Sequence, residues 1–165
     1  MVEGTVRGAV AGDAARLAEI YNHYVTTTIV TFGSEPVTVE QMAADIAAAD
    51  ERRPLLAWED ADGTVAGFAM ASSWQARCAF ANTVETTVYL DPGLLGGGRG
   101  TRLYSALLDR LRDAGLRTVL GGIALPNPAS IGLHEKLGFR KVAHLERVGD
   151  KLGQQIDVGY WQIIL

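Results

Sequence analysis

Between Thr83 and Ala114 the chain runs from a Thr- and Val-rich segment through Leu95-Gly96-Gly97-Gly98-Arg99-Gly100 into an amphipathic stretch. A strand, a glycine loop and a helix in that order constrain the fold more than any other feature. Five of the 19 glycines fall between Gly93 and Gly100. Each costs ordering entropy, so the cluster needs a reason. Glycines let backbone N–H groups approach an anion closely, and the following helix N-terminus adds roughly half a positive charge. A phosphorylated ligand is the first reading. A nucleotide P-loop requires Lys-Ser/Thr after its last glycine, where this chain has Thr101-Arg102. A dinucleotide loop requires glycine at 101 or 103, which are Thr101 and Leu103. A ligand-free, mobile turn is the remaining alternative.

The flanking segments predict a mixed α/β sheet. Asp13 is a candidate N-cap for a helix carrying Leu17, Ile20, Tyr21 and Tyr24 on one face. Thr38-Val39-Glu40-Gln41 fits a capping box for a second helix that ends at Arg52-Arg53-Pro54. Strands are expected at Leu55–Glu59, Val65–Ser73, Thr83–Leu90, Thr118–Leu125, Phe139–Val148 and Asp157–Leu165. The helix from about Thr101 to Ala114 carries Leu103, Leu107, Leu108 and Leu111 as its core stripe and ends at Gly115. Asn127-Pro128 starts a short helix that ends at Gly138.

At 165 residues with 48% hydrophobic and 21% charged residues, the chain reads as one globular domain spanning 1–165. The formal charge of −4 argues against nucleic acid and against a polybasic membrane surface. Apolar runs are too short for a membrane helix, and the start lacks a signal pattern, so a cytoplasmic location is expected. One cysteine, Cys78, and the scattered His23, His134 and His144 predict neither a disulfide nor a metal site.

Val88-Tyr89-Leu90-Asp91-Pro92, Gly98-Arg99-Gly100, Asn127 and Leu133-His134-Glu135-Lys136-Leu137-Gly138-Phe139 together resemble the GCN5-related N-acetyltransferase (GNAT) superfamily. Ile20-Tyr21-Asn22-His23-Tyr24-Val25, Phe32 with Glu35-Pro36, Thr83-Val84-Glu85 and Gly149-Asp150-Lys151 leading to Asp157 narrow the likeness to its phosphinothricin acetyltransferase group. The resemblance covers nearly the whole chain and implies a strongly bent sheet. Its two central strands would part to hold acetyl-CoA. Val88 and Leu90 would contact the pantetheine arm. The family's pyrophosphate pattern, Gln/Arg-x-x-Gly-x-Gly/Ala, falls on Leu95, Gly96, Gly97, Gly98, Arg99 and Gly100, with Leu95 as the departure. Thr101, Asn127 and Ser130 complete the implied cofactor contacts. The group is commonly dimeric, so a homodimer is expected by analogy.

Acetyl transfer to an amine needs a base, a polarised carbonyl and a stabilised leaving thiolate. Glu85 is the only acid in its strand, and apolar surroundings raise a carboxyl pKa toward the useful range. It matches the group's catalytic Glu. An outward-facing strand Glu is the plain alternative. His134, seven residues after Asn127, stands where many members carry a Tyr general acid and this group a His. Its plain alternative is a helix His packed on the sheet. His23 and His144 read as structural. Cys78 is a formal candidate for a covalent route, although family precedent favours direct transfer. The resemblance assigns Phe32, Arg77, Phe80 and Thr83 to the acceptor side. Departures cluster there: Gly33, Gln75, Phe80, Asn82 and Gln155 stand where cationic or aromatic residues are usual. The expected acceptor is the primary amine of a small amino-acid-like compound of the phosphinothricin or methionine sulfone type, and the departures favour a less anionic amine or a different amino acid. Another amine class, such as an aminoglycoside or a protein N-terminus, and a non-catalytic acyl-CoA-binding module stay open.

Overall fold

The computed structural model describes residues 2–165. Seven strands form one sheet: β1 (Gly4–Gly8), β2 (Leu55–Asp60), β3 (Val65–Ser73), β4 (Thr83–Leu90), β5 (Thr118–Leu125), β6 (Arg140–Lys151) and β7 (Gln154–Ile164). Their order is β1-β2-β3-β4-β5-β7-β6. Every neighbouring pair is antiparallel except β4–β5. Four helices flank the sheet: α1 (Ala14–Thr27), α2 (Val39–Ala48), α3 (Arg99–Asp113) and α4 (Pro128–Lys136).

Alternation along the strands feeds two apolar layers. Leu56, Trp58, Ala69, Val84 and Val119 pack on one face against the leucine stripe of α3. Leu55, Ala57 and Phe68 pack on the other against Leu17 and Ile20 of α1 and Met42 of α2. In β4 this puts Val84 and Thr86 towards α3, and Tyr89 against Tyr21 and Tyr24 of α1. Glu85 and Thr87 share the parity of Tyr89.

Helix ends follow local chemistry. Thr38 Oγ1 accepts from the Gln41 amide at 3.1 Å, and Gln41 Oε1 accepts from the Thr38 amide at 2.7 Å, a complete capping box. At the end of α3, Leu116 N–H donates to the Leu111 carbonyl and Gly115 N–H to that of Arg112, with Gly115 at φ +76°. That is a Schellman motif, and its left-handed residue favours glycine.

Some expectations are corrected. Asp13 stands at the N-cap position of α1, as expected, but its side chain makes no cap hydrogen bond to the helix. Its carboxylate takes the Val10 amide at 2.8 Å and pairs with Arg7, because a 3₁₀ turn at Ala11–Asp13 precedes the helix. α3 begins at Arg99 rather than Thr101, since left-handed Gly98 already turns the chain into it. β1 adds a strand beyond the six expected: five residues with a glycine at each end carry little pattern, and pairing with β2 makes the strand. β6 and β7 extend to a tip at Leu152-Gly153, because an irregularity between Leu145 and Gly149 absorbs the break and pairing resumes. No helix among the described residues is long and apolar enough to cross a membrane.

Candidate active site

β4 and β5 pair in parallel only at Thr83–Thr118, Val84–Val119 and Glu85–Leu120. Beyond that point they part. β4 continues to Leu90 on β3, and β5 continues to Leu125 on β7. The gap is the floor of a cavity of about 520 Å3. The cavity brings together the sequence candidates Val88, Leu90, Leu95, Gly96, Gly98, Gly100, Thr101, Asn127, Ser130 and His134.

Gly96, Gly97 and Gly98 all lie at positive φ, from 64° to 86°, so this loop requires glycine. Gly98 is the N-cap of α3 and has open space at the Cβ position. Gly97 is outside the cavity lining and packs towards Val2. The nearby arginines turn away. Arg99 pairs with Asp60 at 2.8 Å and donates to the Leu94 carbonyl at 3.0 Å, holding the Asp60 carboxyl below its ordinary range. Arg102 lies 4.5 Å over the Trp58 ring and donates to the Val2 and Gly4 carbonyls. The loop therefore offers backbone N–H groups and a helix N-terminus, with Lys136 the cationic side chain on the cavity wall. That donor set fits the diphosphate of an acyl-CoA, and the cleft between the strands fits an extended arm.

Two adjacent glycines in β5 make room for the polar groups. A Cβ on Gly122 would stand 2.8 Å from Glu85 Oε1. A Cβ on Gly121 would collide with the imidazole of His134. Glu85 and His134 therefore meet successive residues of one strand, whose side chains point to opposite faces. Glu85 is half-buried, and burial pushes its carboxyl pKa up. Tyr160 lies on its side of the sheet, where burial and the Glu85 charge raise its hydroxyl pKa.

His134 is buried, and burial pushes its imidazole below the ordinary value. The Ser130 carbonyl, 2.8 Å from Nδ1, can only accept, so Nδ1 carries the proton in the neutral ring. Nε2 then accepts from the Tyr104 hydroxyl at 3.1 Å, and Tyr104 accepts from Thr86 Oγ1 at 2.6 Å. A proton placed on Nε2 reverses that chain: Nε2–H donates to Tyr104, Tyr104 to Thr86, and Thr86 to the Leu120 carbonyl at 3.3 Å. Burial raises the Tyr104 pKa, so its hydroxyl stays protonated.

The acceptor-side candidates lie apart from this cavity. Thr83 pairs with Thr118 at the start of β4. Phe80 stacks edge-on against Trp74 at 5.0 Å, and Arg77 and Cys78 are exposed in the same loop. Phe32 is exposed in the segment joining α1 to α2. His144 is exposed and pairs with Asp157 at 2.7 Å. His23 is also exposed. Several site residues went unread in the sequence. Tyr104 follows Leu103 in the core stripe and looks like one more apolar position. Tyr24 and Val30 line the cavity from α1 and the segment after it, and Tyr24 donates to the Leu90 carbonyl at 2.6 Å. Gly121-Gly122 inside a strand was the available signal, because mid-strand glycine marks a close approach.

A family model described as "Acetyltransferase (GNAT) family" matches residues 17–139. A phosphinothricin N-acetyltransferase of Streptomyces viridochromogenes is 40% identical over 157 residues, covering 95% of this chain and 85% of the relative. An L-methionine sulfoximine/L-methionine sulfone acetyltransferase of Salmonella typhimurium is 35% identical, over 98% of this chain and 94% of its own. The solved structure of a Salmonella typhimurium protein described as a putative acetyltransferase, with its cofactor acetyl-CoA, superposes with a TM-score of 0.94. It is 36% identical and covers 98% of this chain and 94% of its own. The parted strands, the glycine cradle and these likenesses agree: the chain belongs to the GNAT family and is an acetyl-CoA-dependent N-acetyltransferase.

Proposed function

We propose that the protein transfers the acetyl group of acetyl-CoA directly to the primary amine of a small amino-acid-like acceptor, with Glu85 as the general base. The observation that carries this is the meeting of Glu85 with Gly122, at the edge of the acyl-CoA cavity and at the point where β4 and β5 part. The names of the relatives support the acceptor class, since phosphinothricin and methionine sulfoximine or sulfone are both compounds of amino-acid type.

When bound, acetyl-CoA supplies the thioester carbon that the amine attacks. The chain's own groups then have separate tasks. Glu85, ionised and facing the α1 side of the sheet, takes a proton from the amine directly or through one water. The backbone of β4 beyond Glu85 lacks a partner strand on its β5 side, leaving N–H groups to polarise the carbonyl. As the new N–C bond forms and the C–S bond breaks, the sulfur leaves with the electron pair. His134 and Tyr104 line up on the opposite face, where the relay from Tyr104 steadies the ring; once Nε2 has taken up a proton, the one released by the amine and returned through solvent, His134 can give a proton to the departing thiolate. Cys78, exposed in the Trp74–Phe80 loop, has no part. Gln75 and Asn82 in that region fit a less anionic acceptor.

The reading includes a cytoplasmic homodimer. An unpaired cysteine suits a reducing compartment. β6, the edge strand, exposes Val142, Leu145 and Val148, which suits burial against a second copy.

The test is thiol release from acetyl-CoA against amino acids, phosphinothricin, methionine sulfone, simple amines, aminoglycosides and peptide N-termini. Small amino acids as the best acceptors are expected. Preference for aminoglycosides or peptides would contradict the acceptor class. Acetyl-CoA binding without turnover on any of them would point to a binding module.

A further inference from the structure

Lys151 is a buried cation that this reaction scheme leaves unused. It ends β6 at the hairpin tip and is 9% exposed. Among the described residues no carboxylate pairs with it. A buried ammonium without a counter-ion is costly, and lysine is seldom found in such a place. Its partners are two carbonyls: Nζ donates to Thr31 at 2.8 Å and to Tyr24 at 3.4 Å. The Tyr24 carbonyl is one of the last four of α1, the negative end of that helix.

Thr31 belongs to the strap of residues 28–38, which has no regular structure and joins α1 to α2. At its far end the strap is held by Asn22, whose side-chain amide accepts from the Val37 amide and donates to the Val37 carbonyl, both at 2.8 Å. In its middle it is held by Lys151 and by the Thr31 hydroxyl, 3.3 Å from Tyr21. Val30, next to Thr31, lines the acyl-CoA cavity, and so does Tyr24. Lys151 thus ties the hairpin tip to a distant part of the sequence, the end of α1 and the middle of the strap that follows it.

We propose that Lys151 is a positioning residue for acceptor binding, which fastens the strap to the β6–β7 tip and holds Val30 in place on the cavity wall. The link to acceptor binding rests on the proposed acetyl transfer to an amine; the fastening itself does not. Lysine suits the task because its flexible stem carries rotatable donors to two carbonyls on different segments.

Two variants test it: Lys151→Met, which keeps the stem and removes the donors, and Lys151→Arg, which restores donors. Hydrogen exchange is followed at the amides of residues 28–37, with acetyl-CoA affinity by calorimetry and acceptor kinetics. In Lys151→Met the strap amides should exchange about tenfold faster or more, while β4 and β5 keep their protection. The acceptor KM should rise about tenfold, with kcat changing less and the acetyl-CoA Kd moving less than about twofold. Lys151→Arg should recover most of both losses. Unchanged exchange in the strap would overturn the proposal, as would a loss of acetyl-CoA binding equal to the loss of acceptor binding. Lys151→Gln, with a donor at shorter reach, is read in the same way should Lys151→Met not fold. If the wild type acetylates no amine, the proposed function fails, and the exchange measurement still decides the fastening.

Discussion

Gly121 and Gly122 show how narrowly single positions set this site. Each lacks a Cβ where a side chain packed against it needs the space, His134 of α4 at Gly121 and Glu85 of β4 at Gly122. Gly122→Ala is expected to push the Glu85 carboxylate aside, lowering kcat about tenfold or more while acetyl-CoA still binds; steady-state kinetics with calorimetry checks it. Gly121→Ala displaces a buried imidazole and should cost about 1–3 kcal/mol of stability, read from urea unfolding. Glu85 also carries a pH signature. Burial raises its carboxyl pKa above the ordinary 4.5, so the fold favours the protonated form. The stability tied to it is complete below the unfolded value and is lost as pH rises through the folded one. Glu85→Gln escapes that loss, so its stability relative to wild type should grow as pH rises from the ordinary carboxyl value through the raised one, and level off above it, in urea titrations. Glu85 and His134 were legible because each stands out by chemistry in an apolar setting. Tyr104 was not: its hydroxyl acts through Thr86 and His134, contacts that helical spacing does not encode.

The elements that carry the site differ in how they are specified. α3, α4 and the glycine loop are written locally, in a leucine stripe, in Asn127-Pro128 and in three successive left-handed glycines. β1 is specified only by its partner β2, and the late hairpin by a register that resumes after an irregularity. The splay of β4 from β5 is likewise non-local, so the cavity followed from the family resemblance and not from strand patterns. Arg99 illustrates the same limit. Within a phosphate-binding loop it looks like a phosphate ligand, yet its guanidinium faces Asp60 and the Leu94 carbonyl. Its role is to set the loop. Arg99→Ala should raise the acetyl-CoA Kd about tenfold and leave kcat at saturation nearly unchanged. Asp60→Ala should do the same, and the double variant should be no worse than either one, as calorimetry on the three proteins would show.

On the scale of the whole molecule, one sheet stands between the two proposed tasks. α3 and α4 cover the face with the glycine loop and His134, while α1 and the strap cover the face with Glu85. The strand opening joins them at one point. The sheet's far edge is β6, with exposed Val142, Leu145, Val148 and, at its tip, Leu152. Sedimentation equilibrium should give a dimer mass, and Val148→Glu should shift it towards monomer. The most direct test of the account is the pH dependence of kcat/KM in wild type and Glu85→Gln, with acetyl-CoA saturating and the best amino acid acceptor. The wild-type rate should climb with pH as a carboxyl of raised pKa ionises. In the variant that limb should vanish and the rate should fall about 100-fold or more, with acetyl-CoA affinity intact. A variant that keeps the wild-type rate and the same pH limb would contradict Glu85 as the base.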